Sequence, residues 1–179
     1  MPEVWSTGPD SSVVEVYRNT FTPWTAIRHW MDPRVLVGGS ILGVEDWKHL
    51  QRDFKVTHCL SVESERSDDG KGIEDLIWLP IPDNGRIPGS VFLPAIYYAD
   101  WVLTHDTQAK LYVHCQMGGS RSPAIGYAIL RGVLCKTPKE ALASIRRALP
   151  DWGTAHPYHF AYMESAENVI RSMGMRVRA

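Results

Sequence analysis

One thiol, two adjacent glycines and an arginine stand together in Val113-His114-Cys115-Gln116-Met117-Gly118-Gly119-Ser120-Arg121-Ser122-Pro123. An apolar run at 111–113 leads in and reads as a buried strand, and a helical pattern at 121–134 leads out. Where a strand ends in a glycine-bearing loop at a helix start, the loop N–H groups and the first helical N–H groups point at one spot. The helix dipole adds partial positive charge there, so the place is a ready anion site. Gly118 and Gly119 allow the positive φ values that turn those donors inward. Arg121 stands six positions after Cys115 and supplies a planar fork that can grip two phosphate oxygens at once. The same field acts on Cys115, because helix N-termini and cationic neighbours bring a thiol from ~8.5 down to ~3.5–7.5. The loop thus binds an oxyanion and makes a nucleophile facing it. The other cysteines serve as controls: six residues after Cys59 stands Glu65, and six after Cys135 stands Ala141. Neither has the strand, the glycines and the helix start, and both are expected in apolar surroundings, with Cys59 a conceivable resolving partner for Cys115.

His114-Cys115, five residues, then Arg121-Ser122 resembles the active-site loop of the cysteine-dependent protein tyrosine phosphatase superfamily, H-C-x5-R-S/T. The chain length and the flanking pattern are most similar to the dual-specificity branch, over about residues 34–172. The resemblance implies a three-layer α/β/α sandwich around a central, mainly parallel (mixed) sheet, and chemistry through a phosphocysteine with no metal and no cofactor. It implies that backbone N–H groups at Gln116, Met117, Gly118, Gly119 and Ser120, together with Arg121, hold the phosphate. It also implies that His114 fixes the loop and tunes the thiol by hydrogen bonding to backbone, and that the Ser122 hydroxyl stabilises the thiolate as it leaves. Taken alone, His114 reads equally as a satisfied core histidine and Ser122 as a helix N-cap.

A phosphocysteine forms only if an alkoxide or phenoxide is expelled, and such groups leave poorly unless protonated. A carboxylic acid near the leaving oxygen is therefore required, and it must later deprotonate the attacking water. Asp83 is the expected acid. It follows a short apolar strand in Ile81-Pro82-Asp83-Asn84-Gly85-Arg86-Ile87-Pro88-Gly89, a loop bracketed by proline and glycine that could close over a site. This loop resembles the general-acid loop of the dual-specificity group. Pro-Asp-Asn-Gly is also strong turn chemistry, and Asp75, Asp100 and Asp106 compete for the role.

With 179 residues, the chain suits a single domain with a sizeable core. Nineteen basic and twenty acidic side chains nearly cancel, which gives no reason to expect nucleic acid or an anionic membrane as a partner. Three cysteines are too few and too odd for a disulfide framework and suit a reducing, cytoplasmic setting. No apolar run approaches the ~20 residues of a membrane span, and the first twenty residues do not read as a signal peptide.

Along the chain, residues 1–33 are expected to form an N-terminal extension packing on the core, with a strand at 11–17 and an aromatic-rich stretch at 20–30 covering one edge or face. Residues 34–179 are expected to form the catalytic domain. The pattern predicts strands at 34–37, 56–62, 76–79 and 110–114 and helices at 44–54, 91–105, 121–134, 137–149 and 156–173, with a crossover that gives parallel pairing. Residues 64–75 read as a solvated loop from which Arg66 or Lys71 could reach the cleft. Thr137-Pro138-Lys139-Glu140 has the form of a capping box with proline at the first helical position. His156, Tyr158 and His159 lie where the last helix starts, and nothing in the spacing singles one out.

The reading is a metal-independent phosphatase acting on phosphate monoesters, with phosphotyrosine and phosphoserine or phosphothreonine on proteins as substrates. Low-molecular-weight phosphatases and arsenate reductases carry a related loop near the N-terminus, and rhodanese-like domains have a shorter spacing, so all three fit worse. A phosphate-binding module without turnover, and a phosphatase of the same fold acting on a phosphoinositide or an RNA 5′-phosphate, are the alternatives. Neutral residues at 116, 117 and 120 disfavour the last two.

Overall fold

The shortest and most apolar segments become strands covered on both faces. The computed structural model describes all residues but 1–2, 8–11, 19–24, 66–67, 69, 84–85, 155–156 and 175–179, and for 3–7, 12–18, 25–26 and 157 the backbone only. Strands β4 (Val35–Gly38), β5 (His58–Ser61), β6 (Leu76–Trp78) and β7 (Leu111–His114) pair parallel in the order β4-β7-β5-β6. Their near-continuous apolar runs are what a parallel sheet needs, since helices cover both faces. Strands β1 (Glu3–Thr7), β2 (Ser12–Arg18) and β3 (Thr25–Asp32) extend the sheet antiparallel past β4, giving seven strands in all.

Helix α1 (Val44–Asp53) covers one face, packing Trp47 and Leu50 with Phe54 on Leu36, Cys59 and Tyr112. Helices α2 (Gly89–His105), α3 (Arg121–Gly132), α4 (Pro138–Arg146) and α5 (Pro157–Ser172) lie on the other. There Phe92, Ile96, Ile125 and Ile129 meet Val35, Val37, Leu60 and Val113, and each such buried side chain contributes roughly 1.5–3 kcal/mol. The result is the α/β/α sandwich expected from the sequence, with the parallel pairing confined to β4–β7 and the N-terminal strands antiparallel. Helix α3 is buried along its whole length. A Cβ at Gly126 would lie 2.4 Å from the Met31 sulfur and 2.9 Å from Val37 Cγ2, so the small residue is what lets α3 approach the sheet. The capping box at Thr137 is formed, with Glu140 N–H on the threonine oxygen and the Glu140 carboxylate on Thr137 N–H.

Strand β3 is riveted to the core by one cation. Arg28 is fully buried. It forks onto Asp46 of α1 at 2.8 and 2.6 Å and donates from Nε to the Tyr112 hydroxyl at 2.9 Å. Trp30 packs beside Phe54 with ring centroids 6.2 Å apart. The other aromatics of the 20–30 stretch, Phe21 and Trp24, lie outside the described residues. Among the described residues no helix is long and apolar enough to cross a membrane.

Candidate active site

All four parallel strands end at one edge of the sheet, and their loops meet there, the usual place for a site in an open α/β sheet. The loop after β7 is held from outside. Its Gln116 carbonyl accepts from Ser40 N–H at 3.1 Å, its Met117 carbonyl from Ile27 N–H at 3.2 Å, and Cys115 N–H donates to the Gly38 carbonyl at 3.2 Å. A trans peptide points its N–H opposite its C=O. Turning the carbonyls of Gln116 and Met117 outward therefore turns the N–H groups of Met117 and Gly118 inward. Gly118 has φ +78°, and a Cβ there would lie 2.5 Å from the Ile27 carbonyl oxygen. Gly119 was expected to share the positive φ. It does not: a single left-handed residue completes the turn, and Gly119 faces open space.

Cys115 is 2 % exposed, and its sulfur lies 3.3 Å from Ser122 Oγ. That hydroxyl is also 2.9 Å from the Gly38 carbonyl oxygen, to which it donates. The hydroxyl hydrogen can swing from the carbonyl to the sulfur when the sulfur is a thiolate. Ser122 is not the helix N-cap. That position belongs to Ser120, which makes no side-chain capping bond. Arg121 is nearly buried and donates from Nη1 to the Ile81 carbonyl at 3.0 Å, while Nη2 lies 3.2 Å from Asp83 Oδ1. The loop after β6 thus reaches Arg121. The Asp83 carboxylate itself is half exposed. Asp75 precedes β6, at the opposite edge of the sheet, where its carbonyl accepts from Cys59 N–H and the Tyr98 hydroxyl. Asp100 lies within α2 and Asp106 caps its C-terminus.

Sequence reasoning missed the groups behind Cys115. His114 is fully buried, and among the described residues its ring faces carboxylates rather than the expected backbone partner, with Nε2 3.3 Å from Asp68 Oδ2 and Nδ1 3.5 Å from Glu63 Oε1, and it stacks on Tyr112. Burial alone would favour the neutral ring, but Cys59, Asp68 and Glu63 outweigh it and hold His114 well above the ordinary imidazole range. Burial likewise would raise Asp68, yet His114, Ser61 and Lys71 hold it well below the usual carboxylate range. Lys71, read as part of a solvated loop from which it could reach the cleft, lines that cleft with Arg121 and closes the row by donating to Asp68 Oδ1 at 3.2 Å. Glu63 also takes a short hydrogen bond from the Ser40 hydroxyl, so the row ties β4, β5 and the phosphate loop together. Arg66 lies outside the described residues. Glu63, Asp68 and His114 are the one cluster among the described residues with metal-ligand spacing.

The remaining cysteines differ from expectation in part. Cys59 is buried among Leu36, Trp47 and Tyr112, whereas Cys115 packs with Val113 and Ile125 in the cluster of the other sheet face. That placement removes the resolving role considered for Cys59. Cys135 is exposed, in a left-handed turn with φ +51° after α3, not in apolar surroundings, because the chain leaves the core there. His156 lies outside the described residues, Tyr158 is exposed, and His159 is nearly buried and lies 3.1 Å from the Ser120 hydroxyl.

No family model and no curated protein sequence matches the chain. Solved structures do. PTPMT1 in complex with PI(5)P superimposes with a TM-score of 0.65 at 18% identity, over 82% of this chain and 98% of that one. Human DUSP28 gives 0.66 at 16% identity, over 81% and 93%. P. aeruginosa TpbA gives 0.60 at 14% identity, over 82% and 90%. The chain has the α/β fold of the cysteine-dependent tyrosine and dual-specificity phosphatases.

Proposed function

We propose that the protein is a phosphatase that hydrolyses phosphate monoesters through a phosphocysteine on Cys115. The observation that carries this is the convergence at one sheet edge of the Cys115 sulfur, the Ser122 hydroxyl 3.3 Å from it, and an Arg121 guanidinium in contact with the Asp83 carboxylate. In the first step the Cys115 sulfur attacks phosphorus and the P–O ester bond breaks. Asp83 gives its proton to the leaving oxygen, while the inward N–H groups and Arg121 hold the phosphoryl oxygens. In the second step Asp83 takes a proton from water, the water oxygen attacks phosphorus, and the P–S bond breaks onto a thiolate that receives the Ser122 hydrogen bond. None of these steps calls on a metal or cofactor.

Phosphoproteins are the proposed substrate class. A cleft of about 420 Å³ opens beside the loop, lined by Ser40, Leu42, Glu63, Glu65, Gln116 and Arg121 among others. That wall sets Glu63 and Glu65 beside Lys71 and Arg121, a mixed-charge lining rather than the basic one that a substrate bearing several phosphates would call for. Cysteines that are all free fit a reducing, cytoplasmic setting.

The test is a side-by-side assay of phosphotyrosine and phosphoserine peptides, PI(5)P, inositol phosphates and an RNA 5′-phosphate, with Cys115→Ser and Arg121→Ala as controls. Phosphopeptides are expected to be the best substrates. Cys115→Ser should lose turnover while still binding tungstate, and Arg121→Ala should lose both. Turnover retained by Cys115→Ser would refute the phosphocysteine, and faster hydrolysis of a lipid or RNA phosphate would replace the substrate class.

A further inference from the structure

Ser120 is the last loop residue before α3 and stands at its N-cap, yet its side chain does not cap the helix. The hydroxyl turns to α5 instead, where Oγ lies 3.1 Å from His159 Nε2. Tyr162, one turn further along α5, is coupled to the same hydroxyl by a hydrogen bond. The other nitrogen of His159 fixes its tautomer. The backbone N–H of Gly153 donates to Nδ1 at 3.3 Å, presented by a turn in which Gly153 has φ +91°. Nδ1 is then the acceptor, the ring hydrogen sits on Nε2, and Nε2 donates to Ser120 Oγ. The ring plane is fixed as well, lying against Trp152 at 4.8 Å and 18° and against Tyr162 at 6.2 Å.

We propose that His159 is a positioning residue for the phosphate loop: its Nε2–H holds the Ser120 hydroxyl and so sets the loop's last peptide, and Arg121 after it, to receive an oxyanion. His159 acts through Ser120, from an element 39 residues away. The catalytic part of the idea rests on the phosphatase reading, but its binding part does not.

The probe is inorganic tungstate, with its affinity measured by calorimetry on the full chain, alongside kcat and KM on a phosphate ester. His159→Phe keeps a ring against Trp152 and removes the donor. His159→Gln returns an amide N–H near the Nε2 position. Ser120→Ala removes the other end of the bond. His159→Phe and Ser120→Ala are each expected to weaken tungstate by about 3- to 10-fold, the worth of one neutral hydrogen bond. The double variant should be no weaker than Ser120→Ala alone, because that change already removes the contact that His159→Phe removes. His159→Gln should restore most of the affinity. Parent-like affinity in His159→Phe, or losses that add in the double variant, would overturn the proposal. If His159→Phe does not fold, Ser120→Ala decides: unchanged affinity there overturns the proposal equally. A parent that binds tungstate but hydrolyses no ester would refute the phosphatase reading, and the tungstate series would still decide on His159. A parent that binds no tungstate would refute both.

Discussion

Asp83 Oδ1 lies 3.2 Å from Arg121 Nη2, the nitrogen that a bidentate grip on phosphate requires. Nη1 is given to the Ile81 carbonyl. An oxyanion entering the loop therefore competes with Asp83 for the guanidinium, and the displaced carboxylate is left at the mouth of the site, where a leaving oxygen would be. Asp83→Asn should bind tungstate at least as tightly as the parent and lower kcat on phenyl phosphate by ~10²–10⁴. An ester of a very acidic phenol should be hydrolysed nearly as fast as by the parent, since its leaving group needs little protonation. Rates across a series of aryl phosphates check this, and equal losses on good and poor leaving groups would take the acid role from Asp83.

The phosphate loop was legible because its chemistry is local. Cys115, Gly118, Arg121 and Ser122 sit within eight positions, and the strand before them and helix after them follow from periodicity. Four of the five helices and the strands at 58–61, 76–78 and 111–114 fell within the expected spans for the same reason, while the strand at 35–38 ran one residue past its span and α2 began two residues before its own. The row Glu63, Asp68, His114 and Lys71 was not legible. A charged stretch reads as solvated unless one knows that β5 runs beside β7 in a register that sets Ser61 against His114. His159 escaped for a similar reason, because only the packing of α5 on α3 brings it to Ser120. Gly119 illustrates the opposite error: two adjacent glycines suggested two positive φ values, and one sufficed.

The buried row makes a stability prediction. Asp68→Asn leaves the His114 cation with Glu63 alone, and breaking a buried ion pair on one side costs about 3–5 kcal/mol. Asp68 is held low, so its contribution is present above the ordinary carboxylate pKa of about 3.8 and is lost as pH falls through its lower folded value. His114 is held high, so its contribution is present below about 6.5 and is lost as pH rises through its folded value. The stability gap between parent and Asp68→Asn should therefore be widest between about pH 3.8 and 6.5 and narrow on both the strongly acid and the alkaline side. Urea unfolding at several pH values measures it, and a gap that does not vary with pH would remove the imidazolium from the account.

Gly118→Ala tests the loop backbone. A side chain at φ +78° costs on the order of 1–3 kcal/mol, and the added Cβ would also sit 2.5 Å from the Ile27 carbonyl oxygen and 2.7 Å from the Gly38 carbonyl carbon. The loop must shift to accept it, and the shift falls on the inward N–H groups. Tungstate affinity and kcat/KM should both fall by at least about 10-fold, a loss of about 1.4 kcal/mol. Gly119→Ala, in open space and without a positive φ, should lose much less. Similar losses at both positions would contradict the assignment of the turn to Gly118.

His29 carries a prediction far from the chemistry. It lies in β3 between Val14 of β2 and Val37 of β4, fully buried, with neither ring nitrogen hydrogen-bonded among the described residues. Burial, and then the charge of Arg147, push its pKa down to about 4. The folded protein thus keeps the ring neutral where the unfolded chain, at about 6.5, protonates it. Below pH 6.5 the unfolded state binds the extra proton, so stability falls as pH drops and levels off near pH 4, with a total loss on the order of 3 kcal/mol. Leucine in place of His29 removes both orphan nitrogens and the titration, an exchange that is near neutral when a buried polar group has no partner. His29→Leu should match or exceed the parent at pH 7 and outlast it increasingly from pH 6.5 down to 4. Urea unfolding of both proteins across that range gives the difference directly, and parallel curves would mean that His29 finds a partner or a proton in the folded state.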